Sequence, residues 1–385
     1  MGDMARLVVV VKYHPPLRRV SGIIGSLVPL LERLAPGLDI HVVTHRAGEH
    51  GPDTIQWSGY SVHRVRGLFP LGAARQVRRL VGNAPGSVHV LVVSGVNELR
   101  RAVPYWGLFR GLIAIGRRPE RLVFLQATHS RRAPSGLMRR LLASFDSIAC
   151  VGEVVASKFR DAGVPVVTLQ PGVDVETLRL IAGRPKPSPS DEKLKVGFVN
   201  HFTHVKGADI ASHLFAELAV RRPEVDFVLA GMGSLEQQVR GEVSGIPNVE
   251  VMGYVEMTER MQLLASLDVL VLPFRTEVSV LGVAQTVLEA MALDTVVVGA
   301  DIPAISSAVA DGVEGLIVGD VDGYMAAVEA LLDDAPQRAR LSEDARKRVT
   351  RQYNMDDRVE ELIALMDISV DGLDAERVGI ERCGE

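Results

Sequence analysis

Residues 195–207 read KVGFVNHFTHVKG: a short apolar run, a polar turn carrying two histidines, then Lys206 and Gly207 at the entrance to the amphipathic segment ADIASHLFAELAVR. An apolar run of strand length that leads through a turn into a helical period is the repeating element of a parallel α/β sheet. The element recurs downstream as DFVLA before a helix from Leu235, VEVMG before a helix around Glu259 to Ala265, and VLVLP before VLEAMA, followed by the strands TVVVG and GLIV. Upstream, from Arg6 to Leu169, the same alternation passes through LVVVVK, the amphipathic IIGSLVPLLERLA, then HVVT, VHVLVV, LVFLQ, SIACV and VVTL. Between the two series lies AGRPKPSPSDEK, residues 182–193, rich in Pro, Ser and charge and without an apolar period, which predicts an exposed linker. The expected fold is therefore α/β, with doubly wound domains at 1–180 and 194–350 and a linker at 181–193. Helices at 351–368 are expected to cross back to the first domain, with a polar tail at 369–385. Ligands of open α/β sheets bind outside the carboxyl ends of the strands, so a cleft between the two sheets is the expected binding place.

The chain's 385 residues exceed what one core usually organises, and 47% apolar with 23% charged residues excludes a disordered chain. Cys150 and Cys383 lie too far apart in sequence to suggest a disulfide framework or a clustered thiol site, which fits a reducing, cytoplasmic compartment. No apolar run approaches the roughly 18–20 residues of a membrane span, and no secretory signal is visible. The net charge of -4 hides an asymmetry: residues 1–180 hold 24 Lys+Arg against 12 Asp+Glu, and the remainder holds 19 against 35. A basic half of that kind suggests an anionic partner.

Several segments can carry chemistry. Lys206 stands where a strand gives way to a helix, so its charge, the helix amides and the helix dipole can meet a phosphate; a solvated surface lysine is the plainer reading. In SVLGVAQTVLEAMA, residues 279–292, Gly282 permits close approach to a ligand and Glu289 lies two turns along the same face; an ordinary buried amphipathic helix explains the pattern as well. Gly231 and Gly233 in VLAGMGSLEQ imitate part of a dinucleotide fingerprint, but Glu236 holds the third glycine position and a tight strand-to-helix turn accounts for both. His129 follows the strand LVFLQ and either contacts an acceptor hydroxyl or caps a loop. Gly22 and Gly25 bracket a helix start after the first strand. Asp320 and Asp322 in GDVDG read as a helix cap rather than a metal site.

In their order and spacing these segments resemble the retaining GT-B glycosyltransferases of family 4, over nearly the whole chain and most clearly from Lys195 to Val318. The family's Gly-Arg-Leu, three residues and Lys-Gly look like NHFTHVKG, and NVEVMGYV, LDVLVLPFRTE, VLEAMALDTVVVGA and DGVEGLIV follow as its later blocks. SGIIGS, THS and LQPGVDVETL resemble the family's glycine loop, its acceptor-side His and the exit from its first domain. The resemblance implies two Rossmann-like domains facing a central cleft, a nucleotide-sugar donor in the second and an acceptor in the first. By it, Lys206 contacts the donor diphosphate, beside His201 and Gly207. Amides at Gly282, Val283 and Ala284 hold phosphate or sugar oxygens, Glu289 binds the ribose, Gly253 and Tyr254 lie near the base, and His129 lies near the reacting sugar. Gly22 and Gly25 form an acceptor or phosphate loop, and no metal or other cofactor is expected.

Two positions depart from the family. Its Arg falls on His201, and the first Glu of its Glu-x7-Glu pair falls on Leu281, with Glu277 four residues earlier on a different loop path. These departures bear on the donor sugar and keep open a non-catalytic GT-B homologue, acting as a binding or accessory subunit, and an enzyme coupling a sugar-like ring to a non-sugar acceptor. The arginine-rich segments around Trp106, Phe109, Leu112 and RRAPSGLMRRLLASF suggest peripheral contact with an anionic membrane face, or else helices that cover the sheet and solvate their arginines. Nothing resembles a nucleic-acid platform.

Overall fold

The structure, a computed structural model, describes residues 5–11, 31, 33–35, 37–46, 53–57, 59–66, 69–94, 118–126, 133–183, 193–276 and 283–368. The chain divides between Pro171 and Gly172 into two units of its own cores, and residues from Asp356 onward belong with the first.

The first unit is built on strands β1 (Arg6–Val11), β2 (Asp39–His45), β3 (Thr54–Trp57), β4 (Tyr60–Val65), β5 (Val88–Ser94), β6 (Arg121–Gln126), β7 (Ser147–Val151) and β8 (Val166–Leu169), with helices α1 (Phe69–Gly82), α2 (Gly136–Leu142) and α3 (Glu153–Ala156). Their order is β3-β4-β2-β1-β5-β6-β7-β8, parallel throughout except for the β3–β4 pair at the edge. β1 is central, and its residues Leu7 to Val10 are buried, as a strand covered on both faces requires. The edge hairpin was not marked by the sequence. His63 of β4 is buried and bonded to His41 of β2 at 2.9 Å, so a polar residue occupies a core position and breaks the apolar alternation.

The second unit begins with α4 (Val175–Ala182) and continues through β9 (Lys195–Val199), α5 (Ala208–Arg221), β10 (Asp226–Ala230), α6 (Glu236–Glu242), β11 (Val249–Met252), α7 (Met257–Ser266) and β12 (Val269–Leu272). It ends with α8 (Gln285–Ala292), β13 (Val296–Ala300), α9 (Pro303–Ser306), β14 (Gly315–Val318), α10 (Gly323–Asp333) and α11 (Ala335–Gln352), while α12 (Met355–Leu365) passes to the first unit. The strand order is β11-β10-β9-β12-β13-β14, all parallel. Alternate residues of one strand serve opposite layers: Val269 and Val271 of β12 enter the core with Phe198, Phe215 and Phe227, while Leu270 and Leu272 enter the core with Leu264, Val287 and Met291.

The unit boundary lies ahead of the linker expected at 181–193, because α4 packs on α7 and α8. Asp174 caps α4 through the Thr177 N–H at 3.0 Å, Leu178 joins the core, and Arg179 binds Asp294 at 2.7 Å. Asp320 accepts the Gly323 N–H at 2.8 Å and so caps α10; the formal cap residue Asp322 makes no such bond. Among the described residues, no helix is long and apolar enough to cross a membrane. Met138 and Leu142 of α2 are buried while Leu137 is exposed; Trp106, Phe109 and Leu112 lie outside the described residues.

Backbone proximity at the carboxyl end of the second sheet leaves no room for side chains. A Cβ at Gly231 would sit 1.9 Å from the Asn200 carbonyl oxygen, with φ at +155°, whereas a Cβ at Gly253 would meet nothing within 4 Å. Gly231→Ala is therefore expected to cost about 2–4 kcal/mol in urea denaturation. Gly253→Ala should stay within about 0.5 kcal/mol of the parent, and equal midpoints for the two variants would contradict this account of the loops.

Candidate functional site

In the second sheet the order reverses between β9 and β12, whose carboxyl ends release the segments 200–207 and 273–276 side by side. Such a switch point is where open α/β sheets receive ligands. The loops are knitted by backbone bonds: Asn200 N–H to Ala230 O at 3.1 Å, Phe202 N–H to Met232 O at 3.0 Å, and Arg275 N–H to Val205 O at 3.1 Å. Gly207 turns the chain into α5 with φ at +68°, and a Cβ there would lie 1.9 Å from the Pro273 carbonyl oxygen.

Lys206 closes the one-turn 3-10 helix His204–Lys206 and places its ammonium 4.1 Å from the centre of the Phe274 ring. The side chain is half-buried, and burial pulls its pKa from the usual lysine range down to about 8. Among the described residues no carboxylate lies within salt-bridge distance of it. The turn is instead fixed by its neighbours. Arg275 grips Asp209 of α5 with two bonds of 2.7 Å and also donates to the His204 carbonyl at 2.9 Å. Burial raises the Asp209 carboxyl, but the Arg275 bonds outweigh it and hold the group below its usual range. A desolvated cation whose turn is held by another ion pair is free to meet an incoming anion.

Glu289 of α8 is 3% exposed. Its Oε1 accepts from Arg260 of α7 at 3.0 Å, while its Oε2 is buried without a partner. Burial pushes the carboxyl up to about 7 in spite of the opposing guanidinium. An orphaned buried acceptor is costly, and a ligand hydroxyl donating to it would remove the cost.

His201, Lys206 and Gly207 share one loop; His201 is exposed, its N–H bonded to the Asn200 side chain at 2.8 Å. Gly253 and Tyr254 follow β11 at the same end of the sheet, where the Gly253 carbonyl accepts the Gly231 N–H at 3.1 Å and Tyr254 is 55% exposed. Val283 and Ala284 are buried. The Ala284 N–H donates to the Ala304 carbonyl at 2.8 Å, so it is committed to the protein and departs from the phosphate-binding part expected of it. Gly22, Gly25, His129 and Gly282 lie outside the described residues. The sequence reading passed over Arg275, Asp209 and Arg260. The available signal was Arg275 itself, a charge three residues past a fully apolar strand.

Residues 193–334, which lie within the second unit, match the family of glycosyl transferases group 1. Glycogen synthase of Mycobacterium tuberculosis is 26% identical over 227 residues, 57% of this chain and 52% of that protein. Phosphatidyl-myo-inositol mannosyltransferase of Mycolicibacterium smegmatis is 30% identical over 198 residues, 49% of this chain and 48% of that protein. The matches thus span about half the length of these relatives. Sucrose-phosphate synthase from Thermosynechococcus elongatus superposes with a TM-score of 0.69 at 14% identity, over 94% of this chain and 98% of that one, a likeness that shows the GT-B fold.

Two outcomes follow. Removing the clamp with Arg275→Gln should weaken inorganic pyrophosphate binding about tenfold in calorimetry without lowering the unfolding midpoint by more than a few degrees. The pH dependence has a definite sign: Lys206 is charged below about 8 and neutral above it. Pyrophosphate affinity should therefore fall by up to about tenfold per pH unit above 8 in the parent and stay flat in Lys206→Met.

Proposed function

We propose that the protein is a glycosyltransferase, moving a sugar from a nucleotide-sugar donor to an acceptor with retention at the anomeric carbon and without a metal ion. The observation that carries this reading is the half-buried Lys206, with no carboxylate among the described residues in salt-bridge reach, at the switch point of a parallel sheet. In the reaction the bond from the anomeric carbon to the diphosphate oxygen breaks and its electron pair stays on the diphosphate. The acceptor hydroxyl oxygen forms the new bond to the anomeric carbon, and its proton passes to the departing diphosphate oxygen. Charge grows on the leaving group, and a preorganised cation in a dry site stabilises it more than it stabilises the donor. Lys206 supplies that charge. Glu289 offers its orphaned Oε2 to a ribose hydroxyl, and Gly253 leaves open space beside Tyr254 for the base. His129 is assigned to the reacting sugar, and Gly22 with Gly25 to the acceptor side, on the strength of the family resemblance alone. The acceptor is a glycan, a lipid-linked sugar or a small molecule.

A second reading has its own support. Leu281 replaces the family's first Glu, and the Ala284 amide is already bonded, so two donor contacts of the family are missing. That favours a binding or accessory subunit.

Thermal stabilisation by a panel of nucleoside diphosphates and nucleotide sugars, followed by donor turnover, separates the two. One nucleotide should raise the midpoint selectively, and Lys206→Ala should weaken it about 10- to 100-fold. Lys206→Ala should also remove most sugar transfer, so unchanged turnover would sink the assignment. Binding without turnover of any donor would establish the accessory reading.

A further inference from the structure

The first unit holds a cavity of about 510 Å³ between the β3–β4 hairpin at the sheet edge and α1. Its size falls within the roughly 300–1,000 Å³ typical of small-ligand sites. Arg64 and Arg66 line it from β4 and its end, Arg75 and Arg79 from α1. One carboxylate, Asp53, faces these four cations, and it is shared with Arg46 and Arg66. Arg75 and Arg79 are one helical turn apart, and their guanidinium groups make no hydrogen bond or ion pair with any described residue. Four arginines against the one carboxylate of Asp53 leave the cavity electropositive and rich in planar forks that match phosphate oxygens.

The floor is polar and organised. Asp39 accepts from His41 Nε2 at 3.1 Å, which leaves His41 Nδ1 as the acceptor for His63 Nε2–H at 2.9 Å. His63 Nδ1 then faces the Thr54 hydroxyl at 3.4 Å. Arg6 secures the far end, bonding Asp39 at 2.6 Å and the Leu80 carbonyl at 2.9 Å. Burial, with the charges of His41 and Arg6 behind it, holds His63 down at about 4, so the floor is neutral at pH 7 and the arginines supply the charge. The lining offers only Val65 and Leu80 as apolar side chains, so charged and polar groups dominate it. The cavity runs from Arg66, past the carboxyl end of β4, to Leu80 and Asn83 beside the amino end of β1. It thus extends along the layer between β4 and α1 and is not confined to the carboxyl ends of the strands.

We propose that this edge cavity is a binding site for a phosphomonoester, either a free small phosphate ester or the phosphate of a lipid headgroup, separate from the donor site. Arg75 and Arg79 grip the phosphate, and the neutral His63–Thr54 floor contacts the group esterified to it.

Glycerol 3-phosphate and inorganic phosphate serve as probes in calorimetry, titrated into the parent, Lys206→Met, Arg75→Gln/Arg79→Gln and Arg78→Gln. Arg78 lies on the same helix outside the cavity lining and controls for net charge. Saturable binding should persist in Lys206→Met and Arg78→Gln and weaken at least tenfold in the Arg75/Arg79 double variant at an unchanged unfolding midpoint. Binding lost in Lys206→Met but kept in the double variant would overturn the proposal while leaving the donor site intact; absence of saturable binding in the parent would overturn it outright. Sedimentation with phosphatidylcholine vesicles containing phosphatidic acid assigns the source. Glycerol 3-phosphate should displace the protein from them if the headgroup is the ligand, and the vesicles should bind no protein if the ester is free.

Discussion

Three loops at the carboxyl end of the second sheet approach closer than side chains allow, and the rest of the site is a consequence. The Pro273 carbonyl stands where a Cβ of Gly207 would go, the Asn200 carbonyl where that of Gly231 would go, and the Phe202 carbonyl at 2.4 Å from that of Gly233. Glycine is thus required by backbone against backbone, not by a ligand. The contact brings the exit of β12 onto the exit of β9, so that Phe274 becomes the platform under Lys206 and Arg275 reaches Asp209. A looser packing would leave Lys206 as an ordinary solvated lysine with an ordinary pKa.

This arrangement carries an electrostatic cost. Burial disfavours the charged ammonium of Lys206 and the charged carboxylate of Glu289 alike, yet opposite charges do not cancel here because the two groups have other neighbours. Lys206 has an aromatic face in place of a carboxylate, and Glu289 has one guanidinium for two oxygens. Under the proposed function, a ligand carrying both an anion and hydroxyl donors would resolve both defects. That coupling of local instability to ligand chemistry distinguishes a binding site from a structural ion pair such as Arg275–Asp209, whose partners satisfy each other.

The fold was legible because its buried strands are short and apolar on both faces. KVGFV, VLVLP and TVVVG state their own burial, and their spacing by amphipathic segments states the parallel order. What escaped the reading is polar or long-range. His63 concealed β4, since only the partner His41, 22 residues away, makes a histidine acceptable at a core position. α4 read as the end of the first domain because local sequence cannot show that Arg179 meets Asp294, 115 residues later. Lys206 and Glu289 were legible as candidates from their places beside strand ends. Their electrostatic state was not, because it depends on Phe274 and Arg260, and the Ala284 amide was misjudged because its acceptor, Ala304, comes from a separate turn.

The charge asymmetry of the chain also changes meaning once the units are known. The basic first half suggested an external anionic partner, but part of the compensating charge is internal. α12 and its extension carry Asp356, Asp357, Glu360, Glu361 and Asp367 into the first unit, where Asp356 pairs with Arg33 and Asp367 with Arg121. Exposed pairs of this kind contribute roughly 0–1 kcal/mol each, so they do not explain why the helix belongs there; burial of Val359, Leu362 and Ile363 does. Their effect is on the field. They offset the charge of Arg33 and Arg121, while Arg75, Arg78 and Arg79 of α1 and Arg139 and Arg140 of α2 meet no described carboxylate.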